Sequence, residues 1–506
     1  MAEILHQTVA LCSVLIVILT VAWRVVDWAW IRPKETERRL RRQGLRGNPY
    51  RPFIGDAKEL IKITKEALSK PIDISDDVVP RIVPFLHHTV NKHGRDSFAW
   101  VGTRPWLILM DLESVKEVLT KYDEYQKPND INPILRLLVQ GLLAHEGEKW
   151  AKHRKVISPA FHMEKLKGMI PAMHLSCSEM LRKWEEMASV KGSVELDVLP
   201  FLENLTGDMI SRAAFSSSYE EGRKIFHLLT EQTVLAMPFV QSVYIPGWRF
   251  LPTKTNRRMK GLSKEIEALL TGIIERRKRA LEAGETKKDD LLGLLLESNQ
   301  KEMAENGNNN ETGLTIQEVV QECKLFYLAG QETTASLLVW TLVLLGKHQN
   351  WQESARREVL QAFGDNIPDF EGLKILYSPS FMLMRKVSKE TRLKNLLIPP
   401  GTEIIVSPTL LHQDCQLWGN HAKEFKPERF SEGVYAATKG QISYIPFSWG
   451  PRICIGQNFA LMEAKLAMTM ILQRFSFHLS PAYVHAPYTV LSLKPQHGAN
   501  MILYRL

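Results

Sequence analysis

Apolar residues run almost unbroken from Val9 to Val26, with Cys12, Ser13 and Thr20 as mild exceptions and Arg24 near the end. A run of roughly 17 to 25 apolar residues crosses a bilayer core as a helix. A cleaved signal peptide is the competing reading. In such peptides the charge precedes the apolar run, whereas here Arg32, Lys34, Arg38, Arg39, Arg41, Arg42 and Arg46 follow it, with no small-residue cleavage site. Those basic residues put the following chain on the cytoplasmic side, and Trp23, Trp28 and Trp30 read as interfacial anchors. Gly44, Gly47, Pro49 and Pro52 break up the next stretch. The expected division is a membrane anchor over 1–31, a basic, Pro- and Gly-containing linker over 32–52, and one body over 53–506.

Within the body, long amphipathic segments outnumber strand-like alternations. Short strands are expected at Phe98–Trp100, Leu107–Met110, Glu403–Val406 and near the C-terminus, so the fold class is mainly α with small β-sheets (α+β). Thr315-Ile-Gln-Glu318 matches a capping box and opens a long helix ending near Gly346 or Lys347. Apolar residues occupy several of its faces, which marks it as central and buried. Inside it lies Ala329-Gly330-Gln331-Glu332-Thr333-Thr334. An acid and two hydroxyls in a buried helix are costly without partners, and Gly330 weakens the helix while making room beside it. Tyr244–Pro252 is too rich in Pro and Gly for a helix yet strongly apolar; it reads either as a loop dipping into lipid headgroups or as a buried loop. The polar run Asn306–Gly313 reads as an exposed loop, and no internal repeat is present.

Composition is ordinary for a globular protein, and the formal net charge is +9. No zinc spacing and no nucleic-acid module accompany that charge, so a membrane surface or an acidic protein partner suits it better than nucleic acid. Five widely scattered cysteines form no disulfide framework, which fits a reducing compartment.

The chemistry concentrates in Phe447-Ser-Trp-Gly450-Pro-Arg452-Ile-Cys454-Ile-Gly456. One cysteine sits between two glycines, beside an arginine and just ahead of a helix starting near Gln457. Gly450 and Gly456 can adopt φ > 0 and let another body approach the backbone, while the helix N-terminus offers free N–H groups and partial positive charge. These features favour a thiolate; an inert buried cysteine is the alternative. Trp150 and Arg154, four apart, share one helix face.

Phe-x-x-Gly-x-Arg-x-Cys-x-Gly resembles the haem-binding signature of the cytochrome P-450 family, with every fixed position filled by Phe447, Gly450, Arg452, Cys454 and Gly456. The resemblance implies that Cys454 is the axial thiolate of a haem iron, that Arg452, Trp150, Arg154 and Arg385 contact haem propionates, and that Phe447 packs over the sulfur. Ala329–Thr334 resembles the family's oxygen-activation motif. There the Ala-Gly pair opens a groove over the haem, and Glu332 and Thr333 relay protons through water. Gln43–Tyr50, Glu148–Arg154 and Tyr483–Pro487 are similar to the plant subfamily that contains secologanin synthase. The implied protein is a monooxygenase of cytochrome P-450 fold, held in the endoplasmic reticulum membrane by one N-terminal transmembrane helix and facing the cytosol. It takes electrons from NADPH through a separate reductase, and inserts one oxygen atom into a small apolar, terpenoid or iridoid substrate.

One family motif has no counterpart. The helical Glu-x-x-Arg, whose charges interlock with the arginine equivalent to Arg429 in Pro427-Glu-Arg429-Phe430, cannot be placed in Leu373–Arg385. Glu353-Ser-Ala-Arg356 has the letters but falls in the preceding helix, where it reads as an exposed salt bridge; Glu390 and Arg392 have the wrong spacing. About three helical turns are missing, the length of an average helix. Arg429 is then expected to become a buried charge without partners, at a cost on the order of 3–5 kcal/mol. A non-catalytic, haem-deficient family member is therefore the rival reading. A haem isomerase of the same fold is the third, opposed by the presence of Glu332 and Thr333.

Overall fold

The expected strands pair into a sheet that covers its own core. Ser97–Val101 and Arg104–Ile108 form an antiparallel hairpin; Glu403–Val406 joins Arg104–Ile108 in parallel, and Leu383–Lys386 joins Glu403–Val406 antiparallel. Arg46–Gly47 completes the other edge beside Ser97–Val101. Phe98, Trp100, Leu107, Ile404 and Ile405 are fully buried beneath it. The computed structural model describes residues 1–128, 133–189, 191–216, 219–240, 253–284, 290–305, 313–364 and 382–506. The apolar loop Tyr244–Pro252, residues 306–312 and the junction residues 373–381 lie outside the described residues.

A second, larger core is helical. The central helix Ile316–Lys347 is capped by Thr315 in a complete capping box with Glu318. It packs against Val198–Phe215, Lys254–Glu282 and Gln457–Arg474. A smaller sheet, with Asn500–Arg505 between Ser193–Asp197 and Phe475–Leu479, closes that half. Gly330 is needed here for packing: a Cβ on it would lie 3.0 Å from Ile210 Cδ1 on Val198–Phe215. The room it makes is for a neighbouring helix, while Ala329 is the member of the pair that borders open space.

At the N-terminus, Ala2–Val26 continues through a π-helical turn, Asp27–Ile31, into the helix Arg32–Arg42. Residues 6–42 are long and apolar enough to cross a membrane, by length and composition, and the apolar window is wholly exposed. The stretch 32–52 is ordered. Pro33 lies inside this continuous helix, where it has no N–H to donate to the preceding turn, and Glu37 pairs with Lys34 at 2.9 Å and Arg41 at 3.0 Å. Gly44 at φ +86° ends the helix. Tyr50 then fastens it to the body: its hydroxyl donates to Ala29 O at 2.6 Å and its ring meets Trp100 edge-on at 4.8 Å.

Candidate functional site

The cysteine loop is built by backbone constraint. Ser448 at φ 68° and Gly450 at φ +74° turn the chain, and a Cβ at Gly450 would strike Leu119 O at 2.6 Å. Gly456 keeps an ordinary φ of −85° and serves as N-cap of Gln457–Arg474. The Cys454 N–H donates to Phe447 O at 2.9 Å, so the structure positions Phe447 through its main chain. Cys454 borders open space yet lies deep in the protein. That depth pushes its thiol up, while the Gly456 N–H and the Arg154 charge act in the opposite direction. Arg154 donates to Ile453 O at 2.9 Å, which sets it against the loop itself.

Arg452 is buried. It donates to Glu146 at 2.6 Å and to His145 O at 3.1 Å, and its guanidinium lies over Trp150. Arg385, also buried, donates to Met384 O at 2.9 Å. Burial, then the Arg452 charge, lowers Arg385 to about 10. Both Arg452 Nε and Arg385 Nε are buried and have no hydrogen-bond partner among the described residues. Lys127 completes the group: its Nζ donates to Leu143 O at 2.8 Å, and burial together with the Arg452 and Arg385 charges lowers it to about 7. The expected haem fits these residues, since orphaned buried guanidinium nitrogens suit carboxylates and a deep sulfur bordering open space suits an iron ligand.

Phe161 links the loop to the central helix. A Cβ on Gly456 would sit 4.0 Å from its ring, and the ring meets Phe326, one turn before Ala329, at 5.5 Å. Thr333 Oγ1 donates to Ala329 O at 2.7 Å and is partly exposed. Glu332 is held elsewhere: it accepts from Ser492 at 3.0 Å and pairs with Lys494 at 3.0 Å, and Lys494 also reaches Glu203 at 2.6 Å. Glu332, Ser336 and Trp340 share one helix face, and all three grip the segment Ser492–Lys494.

Two polar groups central to this region carry no short-range sequence signal. His153, fully buried, is hydrogen-bonded through Nδ1 to Glu322 Oε1 at 2.5 Å, and Glu322 also accepts from Leu142 N at 3.0 Å. Together with His145 they pin the turn that presents Glu146 to Arg452. Arg356 is no exposed salt bridge. Glu353 is 60% exposed, but Arg356 is only 12% exposed and donates to Leu472 O at 3.1 Å and Phe475 O at 2.7 Å, at the end of Gln457–Arg474. Arg429 corrects a further expectation: it is half-exposed, donates to His421 O at 2.5 Å and lies 5.4 Å from the Trp418 ring centroid. A 3-10 turn, Pro427–Phe430, holds it near the surface, so no buried charge is stranded.

A family model described as Cytochrome P450 matches residues 82–496. Cytochrome P450 CYP72A219 of Panax ginseng is 53% identical over 520 positions, covering 100% of both chains. Those 520 positions exceed the 506 residues here by 14, so at least that many in the relative lack a counterpart. Secologanin synthase 1 of Catharanthus roseus is 50% identical over 98% of this chain and 97% of that protein. Among solved structures, retinoic acid bound cyanobacterial CYP120A1 superposes with a TM-score of 0.71 at 20% identity, covering 91% of this chain and 99% of that one, and so shares the fold.

Proposed function

Because the chain belongs to the cytochrome P450 family of monooxygenases, we propose that it is a membrane-anchored haem-thiolate enzyme that inserts one atom of O2 into a terpenoid or iridoid substrate. The second oxygen atom leaves as water, with two electrons supplied by NADPH through a separate reductase. The observation that carries this reading is that Cys454 borders open space, beside a buried pocket in which, among the described residues, Lys127, Arg385 and Arg452 outnumber Glu146.

The haem would supply activation of molecular oxygen, and Cys454 would hold its iron. Arg452 and Arg385 would hold its carboxylates; Trp150 supports Arg452 from below, and Arg154 braces the loop at Ile453. Thr333 Oγ1, partly exposed beside Ala329, holds a proton that it can pass into the open space by rotating off Ala329 O. Glu332 acts through its placement at Lys494 and Ser492, which keeps a carboxylate next to Thr333. The substrate class rests on the similarity to secologanin synthase 1. Residues 1–31 form the anchor, 32–52 the basic connection and 53–506 the catalytic domain, in the endoplasmic reticulum membrane and facing the cytosol.

A carbon monoxide difference spectrum of the reduced protein in microsomes tests this. The expected result is a red-shifted thiolate band that disappears in Cys454→Ala, with NADPH-dependent product formation when reductase and a terpenoid panel are added. No band in the unaltered chain would sink the proposal. It would favour the second reading, a haem-deficient family member, for which the missing Glu-x-x-Arg and the 14 unmatched positions speak.

A further inference from the structure

We propose that His145, His153 and Glu318 form a binding site for a zinc ion, with Glu322 as the group that orients His153. The site lies outside the cysteine loop, so it stands or falls independently of haem.

His153 carries the argument. It lies on the helix Gly147–Ile157, fully buried, between two carboxylates one turn apart on the central helix, Glu318 and Glu322. Its Nδ1 meets Glu322 Oε1 at 2.5 Å. A carboxylate oxygen only accepts, so Nδ1 is the donor, and in the neutral ring the lone pair is then on Nε2. That atom is buried and has no hydrogen-bond partner among the described residues, while Glu318 Oε1 stands 3.5 Å away. Two electron-pair donors thus face each other across a short gap. A tetrahedral zinc ion, with bonds of roughly 2.0–2.1 Å, spaces its ligands by about 3.3 Å. His145 supplies a second imidazole. Its ring centroid is 4.4 Å from that of His153, and its Nε2 is also buried with no partner among the described residues. It offers a ligand nitrogen within 4.8 Å of the ligand atoms of His153 and Glu322.

The surroundings hold these groups in place. Glu322 accepts from Leu142 N at 3.0 Å beside Gly141, where a Cβ would lie 2.7 Å from Glu322 Oε2. A carboxylate hydrogen-bonded behind a ligating histidine fixes its tautomer and raises its basicity. Glu318 uses Oε2 for the capping box with Thr315, which leaves Oε1 to Lys149, at 3.0 Å, and to His153. Lys149 is half-exposed and can swing into water, which opens an entry path and a fourth position for solvent. Two imidazoles and one carboxylate select zinc over magnesium or calcium, which take oxygen ligands. Bound zinc would cross-link residues 141–145, the helix Gly147–Ile157 and the first turn of the central helix.

The test is equilibrium dialysis of the untagged, detergent-solubilised full-length protein against radioactive zinc, with magnesium as competitor, followed by X-ray absorption at the zinc edge. One zinc per chain, bound through two imidazoles and not displaced by magnesium, is expected. His145→Ala and Glu318→Gln, the latter keeping the capping box, should each bind roughly tenfold more weakly or worse. Lys149→Met should bind a few-fold more tightly, because it removes the cation that competes for Glu318. Loss of folding cannot imitate that gain. Zinc held equally by the unaltered chain, His145→Ala and Glu318→Gln overturns the inference. So do zinc without imidazole ligands, no zinc at all, and unchanged or weaker binding by Lys149→Met.

Discussion

The guanidinium carbon of Arg452 lies 4.3 Å from the centroid of the Trp150 indole, and both side chains are buried. A desolvated cation–π contact of this kind contributes about 2 kcal/mol. Arg452 is also the residue that Glu146 orients, so the indole is the floor on which an anion-binding group stands.

Trp150→Ala should therefore destabilise the protein by about 3–5 kcal/mol and lower its haem content. Trp150→Phe keeps a ring under Arg452 and should retain most of both. Chemical denaturation and the pyridine haemochromogen assay read the two effects separately. Equal haem content in the alanine variant would show that the stacking does not orient Arg452.

Gly450→Ala should be worse for the site than for the fold. A left-handed φ costs a non-glycine residue roughly 1–2 kcal/mol. The new Cβ would also meet Leu119 O, a backbone atom with little freedom to move. Relief comes by shifting the loop that carries Arg452 and Cys454. The expected outcome is a folded protein whose reduced carbon monoxide band is weak or displaced.

Glu463 predicts a pH dependence. It is fully buried on Gln457–Arg474, its carboxyl is pushed well above the ordinary carboxylate range by burial, and the Thr334 hydroxyl donates to it at 3.0 Å. The folded state thus keeps a proton that the unfolded state releases near 4.5. Stability is full below that value and falls as pH rises toward the folded pKa, by about 1.4 kcal/mol per pH unit. Glu463→Gln should remove this slope and leave the protein more stable than the parent at pH 8. Denaturation midpoints at pH 5 and pH 8 decide it; parallel shifts in both proteins would refute the assignment.

Arg356→Met should cost about 2–4 kcal/mol, because two carbonyls at the end of the cysteine helix lose a charged donor. Arg356→Lys should recover only part, having one point charge where a fork now spans Leu472 and Phe475. A loss under 0.5 kcal/mol for the methionine variant, measured by urea denaturation, would mean that water replaces the guanidinium.

What the sequence made legible shares one property: each signal is contained in a few adjacent residues. Thr315 and Glu318 announce the start of the central helix, and Gly450, Arg452 and Cys454 announce the loop, because local backbone chemistry requires those types at those spacings. The pocket around Arg452 is different. Lys127, Glu146, Arg385 and Arg452 come from four separated stretches, joined by a bridge at Gln126 and a turn held by Glu322 and His153. Lys127 and Glu146 have no neighbour in sequence that marks them. Arg356 and Arg429 went astray for the same reason, since helical spacing gave Arg356 an exposed partner and motif logic gave Arg429 a buried site. Tertiary contacts decided both.

The unbroken backbone from Ala2 through the π turn to Arg42, clamped at Ala29 by Tyr50, behaves as a spar with a fixed phase. One residue added to or removed from Ala2–Val26 would rotate everything N-terminal to it by about 100° about the spar's axis, while moving it only ~1.5 Å along. Orientation of the body toward whatever holds the helix is thus far more sensitive to the length of this segment than distance is.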